Sequence, residues 1–490
     1  MNFSRKEFIK ITTFTGIAFL LKSCGIHTEE DNNNDSQKKD STKLNESLEV
    51  YKKIDSENVL YITKQNKDYD SLRQGFNKKI NKYPAIIALC LNTKGVQEAV
   101  LCAKEHKLKI AIKSGGHCFE GFSSNMDGMV INLSKLNSVE FLDEDTIKVE
   151  AGCKLGELYE KLLIQNKIIP AGSCSGVGVG GLTLGGGYGL FSRKHGLTCD
   201  SIVELEIVNA EGKLLTSKDH PELLWALKGG GNGNYGVVTQ FLFRTHPAPN
   251  FFQSTRFKAH KLDVERTLAI MKLWFQIAEH LPDDCFSAFV LNGKALTILI
   301  TNFEELTPET ETLYEELSKL TDSYKKGGKL NVASALKVFG GQTSPILFNN
   351  ASVGLYNNFD DISEVIPHVI NKVINGKGLI YQINTLGGKI MNEDFKATSS
   401  FPYRSCKFLS ELQSYWQNED KNEFYINQFS EIQALFYEAG INKQYINYPS
   451  LNNPTYETSY YGDNYEKLQS LKSIYDPDNL FCHSQSIKPK

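Results

Sequence analysis

The sequence predicts an α+β chain of two domains, and three observations carry that prediction. At 490 residues the chain exceeds what one simple core accommodates and fits two domains of ordinary size. From Ala85 onward, short apolar strands alternate with amphipathic helices, starting with a β-α-β unit. After Pro247-Ala-Pro249 the texture changes, and up to about Gln428 strands alternate with long polar helices. The composition is globular, with 41% hydrophobic and 23% charged residues. A net charge of −3 argues against a nucleic-acid partner, which needs a concentrated basic face.

Residues 1–24 read as an export signal rather than as part of the fold. Arg5, Lys6 and Lys10 precede an apolar run from Ile11 to Leu21. That run is shorter than the roughly 20 apolar residues a membrane span needs. Leu21-Lys22-Ser23-Cys24 resembles a bacterial lipobox, with a lipid on Cys24 as the expected membrane link; ordinary secretion is the alternative. Ser4 to Lys10 also resembles a twin-arginine signal with Lys6 at the second arginine. Residues 25–58 are expected to form a disordered tether, being polar and charged with few apolar residues from Glu29 to Glu46. The ten cysteines contain no CxxC pair, although an exported protein leaves room for a disulfide. No metal-ligand spacing is present.

The first folded unit, 59–248, opens with a strand over Ala85 to Cys90 and a helix capped by Thr93, with Val96, Ala99, Val100 and Ala103 on one face. Strands follow at Lys109 to Lys113, Val130 to Leu133 and Thr146 to Glu150, then a helix from Leu155 to Gln165. Ser201 to Val208 alternates like a strand, and Glu211-Gly212 turns the chain into Lys213 to Thr216. A short helix within Asp219 to Lys228 runs into the glycine-rich stretch Gly229 to Gly236. The second unit, 249–430, contains a strand at Ala295 to Thr301 and a helix from Pro308 to Lys325. The last segment, 431–490, is rich in tyrosine, with Tyr445-Ile-Asn-Tyr448-Pro at its head.

Two segments carry chemistry. Ile112-Lys-Ser-Gly-Gly-His117-Cys-Phe-Glu-Gly121 and the run from Ser173 to Gly189 each place a nucleophilic side chain beside glycines. Glycine has no Cβ, so its backbone approaches a flat or anionic ligand closely. His117 and Cys174 would sit against that ligand, which points to a tightly held cofactor with two covalent attachment points. Gly176-x-Gly178-x-x-Gly181 matches a dinucleotide fingerprint formally. The glycines continue through Gly189, however, so an extended loop is expected there rather than the helix such a fingerprint opens. Taken singly, His117 reads as a turn residue and Cys174 as a small buried hydrophobe; their joint occurrence changes the reading. His195 and His483 are expected in loops or at the surface.

Together these segments resemble the berberine bridge enzyme-like FAD-linked oxidases, with their PCMH-type (vanillyl-alcohol-oxidase) flavin fold, over roughly Val59 to Ile487. Lys113-Ser-Gly-Gly-His117 is similar to that family's Arg-Ser-Gly-Gly-His loop, with Lys113 in place of arginine. The Cys174 segment resembles its second attachment loop, most of all that of the oligosaccharide-oxidising branch. Trp225 to Thr239 is similar to the segment at the adenine end. The resemblance implies an FAD domain over 59–248, completed by 431–490, and an α+β substrate domain whose antiparallel sheet roofs the flavin. It implies FAD linked to His117 and Cys174 and contacted by Lys113, Ser114, Gly115, Gly116, Gly178, Gly180, Gly181, Leu182, Gly187, Val237, Val238 and Asn447.

Tyr445-Ile-Asn-Tyr448 resembles the family's Tyr-x-Asn-Tyr motif, which implies Tyr448 as base and Tyr445 as a substrate contact. A phenol titrates near 10, so neutral-pH action needs help worth about 1.4 kcal/mol per pH unit. Sugar-oxidising members partner the tyrosine with a carboxylate; the matching position here is Asn384, whose amide can bond a phenol but cannot take its proton. The implied reaction moves hydride from a C–H bond of an alcohol or hemiacetal to flavin, with O2 reduced to H2O2. An oligosaccharide or sugar is the leading substrate and a secondary metabolite the alternative. If O2 reacts poorly, the enzyme would be a dehydrogenase. A different class of reading is a surface lipoprotein that binds glycans without turnover.

Overall fold

The computed structural model describes residues 56–490. The signal segment with Cys24, and the tether up to residue 55, lie outside the described residues. The last tether residues belong to the fold: Ser56 Oγ and Asn58 Nδ2 donate to the two carboxylate oxygens of Glu98 at 2.6 and 2.8 Å.

Strands β1 (Val59–Ile62), β2 (Ile86–Cys90), β3 (Ile110–Lys113) and β4 (Met129–Asn132) form a sheet in the order β1-β2-β4-β3. β2 and β3 run parallel to β4, and β1 is antiparallel to β2. Strands β2 and β4 are buried along their whole length, as their apolar runs require. The helix Thr93–Glu105 follows β2; its cap is Asn92, not the expected Thr93. Asn92 is extended and its side chain accepts from the Gly95 N–H, which satisfies an otherwise orphaned donor. β3 ends at Lys113 and so delivers the His117 loop at the edge of the sheet.

A second, antiparallel sheet combines β5 (Val139–Phe141), β6 (Thr146–Glu150), β8 (Ile202–Val208), β9 (Leu214–Thr216) and β10 (Val237–Arg244) in the order β5-β6-β10-β8-β9. The short β7 (Lys167–Ile168) and β11 (His246–Pro247) pair with each other. Between them the glycine run departs from expectation, because Val179–Leu184 is helical. Val179 and Leu184 anchor this short helix in the core, and Gly180 lets it approach the sheet. A Cβ at Gly180 would lie 2.8 Å from the Ala151 carbonyl oxygen. Tertiary packing thus overrides the poor helix propensity of glycine.

The second unit is one antiparallel sheet of seven strands: β12 (Gln253–Ala259), β13 (Cys285–Asn292), β14 (Ala295–Asn302), β15 (Ser323–Lys326), β16 (Leu347–Tyr356), β17 (Leu379–Thr385) and β18 (Phe408–Trp416). Their order is β15-β12-β14-β13-β17-β18-β16. The helix expected from Pro308 to Lys325 ends at Leu320, and its last residues pair with β12 as the exposed edge strand β15. Helices Val264–His280, Ile366–Asn375 and Asn422–Glu438 cover one face, burying Trp274, Val369 and Phe436 against Phe289, Tyr381 and Leu412. The last of these helices packs on β18 and β16, so this unit runs past the expected boundary at 430. Strand alternation turns the opposite face, with Gln382, Asn384, Glu411 and Gln413, toward the first unit.

Candidate active site

The two units enclose a cavity of about 350 Å³, with the glycine loops as its floor and the seven-stranded sheet as its roof. The floor is backbone laid against backbone. A Cβ on Gly115 would fall 2.2 Å from the Gly178 nitrogen, and one on Gly178 would fall 2.1 Å from Ser114 Oγ. The Ser114 hydroxyl donates to the Ala151 carbonyl at 2.7 Å. A Cβ on Gly176 would meet His117 Nε2 at 2.9 Å, so the imidazole and the Cys174 loop share one end of the cavity. Gly181 borders the cavity, with no atom of the described residues within 4 Å of its Cβ position. Burial, helped by Lys154, pushes His117 down to about 4, which leaves a neutral imidazole at physiological pH. Burial also pushes the Cys174 thiol up, opposed by the N–H groups of Gly176 and Val177.

The roof is built from side chains. Gln413 Nε2 donates to Gln382 Oε1 at 3.3 Å, and Gln382 Nε2 donates to Asn384 Oδ1 at 2.8 Å. Asn350 Nδ2 donates to the Tyr415 hydroxyl at 2.9 Å, and that hydroxyl donates to Gln413 Oε1 at 3.3 Å. Glu411 stands among these amides, 6% exposed, with Asn350 Nδ2 3.5 Å from Oε1. Burial pushes its carboxyl up to about 8. Sequence reasoning missed Glu411. Its signal was the alternation Glu411-x-Gln413-x-Tyr415, which looks the same as the polar face of a strand open to solvent.

One flank of the cavity is aromatic. Phe119 stacks on Tyr448 with ring centroids 5.5 Å apart and meets Phe348 edge-on at 5.5 Å. The Tyr445–Tyr448 turn hangs on the outer edge of the roof. The Tyr445 N–H donates to Ser352 Oγ at 3.1 Å, and the Ser352 N–H donates to the Tyr448 carbonyl at 2.9 Å. Tyr448 lines the cavity, and burial followed by the nearby Glu411 holds its phenol well above the ordinary value. The expected lowering of that phenol therefore has no source among the described protein groups around it.

Most expected contacts line the cavity: Ser114, Gly115, Gly116, His117, Cys174, Gly178, Gly180, Gly181, Leu182, Val238, Asn384, Asn447 and Tyr448. Four do not. Tyr445 turns its hydroxyl inward, where it accepts from the Gly187 N–H at 3.1 Å and Asn447 Nδ2 at 2.9 Å, so it braces the loops instead of facing a substrate. Gly187 is spent on that bond and on a positive φ of 80° against Thr198. Val237 points away because neighbouring residues of β10 alternate. Lys113 turns its ammonium to the main-chain carbonyls of Leu72 and Gln74. His483, expected in a loop or at the surface, lies in a loop but lines the cavity, where it stacks on Phe122 at 4.3 Å. His195 is half-buried and stacked on His246 at 4.1 Å.

The family model described as "FAD binding domain" matches residues 84–218, and "Berberine and berberine like" matches residues 444–488. An uncharacterized FAD-linked oxidoreductase, YgaK of Bacillus subtilis (strain 168), is 28% identical over 448 residues, covering 87% of this chain and 96% of its own. These matches support the berberine bridge enzyme-like family for this chain. Among solved structures, Physcomitrella patens BBE-like 1 matches with a TM-score of 0.82 at 22% identity, over 91% of this chain and 99% of its own. A chitooligosaccharide oxidase matches with a TM-score of 0.79 at 22% identity and the same coverage. These likenesses give this berberine bridge enzyme-like chain the fold of the FAD-linked oxidoreductases. The floor fits the cofactor: it is a cradle that Cβ atoms would fill, and Asn232 Oδ1, on a cavity-lining residue, is buried with no hydrogen-bond partner among the described residues. Ser114, Gly115, Gly178, Gly181 and Asn232 are the residues that would hold FAD.

Proposed function

We propose that this FAD-linked oxidoreductase oxidises a carbinol carbon of an oligosaccharide or sugar, with FAD tethered through both His117 and Cys174 and with dioxygen as the final acceptor. The observation that carries the reading is Glu411, a buried carboxyl amid amides, facing a glycine floor across one cavity. Bound FAD supplies a two-electron acceptor for hydride. The protein must then take the hydroxyl proton. Glu411, titrating near 8, is ionised in part at neutral pH and is the acceptor; Tyr448 stays protonated and bonds the substrate oxygen. The carboxylate expected at Asn384 is therefore replaced by one on the neighbouring strand, where Glu411 pairs with Gln382.

Gln382, Asn384 and Gln413 offer donors and acceptors to several hydroxyls at once, while Phe119, Phe348 and Tyr448 offer apolar faces to sugar C–H groups. That pairing of surfaces supports a polyhydroxylated ring over a fully apolar metabolite. A neutral imidazole and a thiol at the same end of the floor support two tethers. Export, with a lipid on Cys24, belongs to the same reading and rests on residues 1–24 alone. The test joins acid precipitation to a peroxide-coupled screen of oligosaccharides and phenolic or alkaloid alcohols. Yellow colour held in the pellet, with peroxide formed from oligosaccharides, is the expected result. Colour left in the supernatant overturns the tethers. Turnover of aromatic alcohols alone overturns the substrate class, and full turnover by Tyr448→Phe removes that tyrosine from the mechanism.

A further inference from the structure

Lys113 poses a physical question that cofactor contact does not answer. It is 8% exposed, and burial lowers its ammonium to about 8, yet the acceptors of its Nζ are the carbonyls of Leu72 and Gln74. A buried cation is costly, so its bonds hold something in place. They hold a strap, residues 72–80, that crosses from the His117 loop to the roof. The Phe76 N–H donates to the Gly116 carbonyl at 2.9 Å, one residue before His117. The Phe76 ring lies flat on the imidazole, with centroids 4.3 Å apart and planes at 12°. The same ring meets Phe348 of the roof at a tilt, with centroids 5.8 Å apart. Farther along, Ile346 N–H donates to the Phe76 carbonyl at 3.0 Å and Lys78 N–H donates to the Ile346 carbonyl at 2.8 Å.

Glycine makes this contact possible. Gly116 has φ +70°, and a Cβ there would strike Lys113 Cε at 2.8 Å; a Cβ on Gly75 would strike the Gly116 carbonyl oxygen at 2.9 Å. The lysine stem, the turn and the strap are therefore packed as one body.

We propose that the strap is a positioning device for the tether: Lys113 and Phe76 fix the plane and direction of the His117 imidazole for bonding to the flavin methyl carbon. The inference rests on the tethered-FAD reading above. In forming that bond the imidazole gives up its N–H hydrogen and the flavin methyl gives up one C–H hydrogen. The two electrons released pass to dioxygen, so imidazole, methyl flavin and O2 become linked flavin and H2O2. Lys113 and Phe76 exchange no atom in that step; they act through the ring they hold.

The test uses the holoenzyme in a Cys174→Ala parent, so that only the histidine link reports. Total bound FAD is read from native absorbance, and linked FAD from in-gel fluorescence after acid and detergent. Phe76→Ala is expected to keep bound FAD but to lose about ten-fold in the linked fraction, since small misplacements of reacting groups are costly. Lys113→Met is expected to lose linked flavin in the same sense, and Lys113→Arg, which restores donors to both carbonyls, to regain it. Phe76→Leu keeps the buried volume without the flat ring and decides the matter if the alanine variant does not fold. An unchanged linked fraction in the Phe76 variants, on a parent that retains linked flavin, overturns the strap alone. A parent that holds no acid-stable flavin overturns the histidine tether and the strap's role with it.

Discussion

The floor and the roof of the cavity are made in opposite ways. The floor is main chain: glycines let Ser114–His117 and Cys174–Gly178 touch, and few side chains intervene. The roof is side chain: Gln382, Asn384, Glu411, Gln413 and Tyr415 project from adjacent antiparallel strands and bond one another. A floor of backbone accepts a fixed cofactor and tolerates almost no added atom. A roof of side chains can be re-cut residue by residue without moving the strands. On the proposed function, cofactor and substrate recognition fall to different kinds of structure.

The sharpest way to break this division is Glu411→Gln. Loss of the proposed acceptor is expected to slow flavin bleaching by substrate about 10²–10⁴-fold, with FAD content unchanged. Stopped-flow under anaerobic conditions measures it; wild-type bleaching would move the base elsewhere. The pH profile sharpens the same point. The rate in wild type should rise with pH through an inflection near 8, as the Glu411 carboxyl ionises, and that inflection should vanish in the variant.

On the floor, Gly178→Ala places a methyl carbon 2.1 Å from Ser114 Oγ and against the Gly115 backbone. Overpacking of this kind costs ~1–3 kcal/mol. Lower melting temperature together with lower FAD content is expected, and unaltered FAD content would show that the floor has slack. Gln382→Leu removes roof hydrogen bonds worth about 0.5–1.5 kcal/mol each. A several-fold rise in KM with little change in kcat is expected from initial-rate measurements with the best substrate of the screen.

The smallest effect concerns stability. The Glu411 carboxyl is raised from 4.5 to about 8, so the fold favours its protonated form. That contribution is complete below the ordinary carboxylate value and is lost as pH rises through about 8. Wild type should therefore lose more melting temperature than Glu411→Gln between about pH 5 and pH 9. Parallel curves for the two proteins would place the carboxyl in a wetter setting than the roof provides.

The same contrast explains what was legible in the sequence. His117, Cys174 and their glycines are local in the chain, so a motif captures most of the floor, though not Asn232. The two-unit α+β architecture was legible for a similar reason, since periodicity and the Pro247-Ala-Pro249 break are local signals. Glu411 was not, because its role depends on which face of β18 looks inward and on β17 and β16 beside it. Tyr445 and Lys113 were legible as motif positions but not as braces, because their partners at Gly187 and at Leu72 and Gln74 lie far off in sequence. The Val179–Leu184 helix was hidden by its own glycines, which disfavour a helix until neighbouring walls supply the packing.

Strand β16 begins beside Ile346, where the Phe76 strap attaches, and six residues later Ser352 bonds the Tyr445–Tyr448 turn. The six strand steps between those two attachments span roughly 20 Å of main chain, at about 3.3 Å per residue. β16 acts as a ruler. A single residue inserted between Ile346 and Ser352 would lengthen that spacing by one strand step and invert which side chains face inward, so this short stretch is where a change of length would be felt at both ends of the site at once.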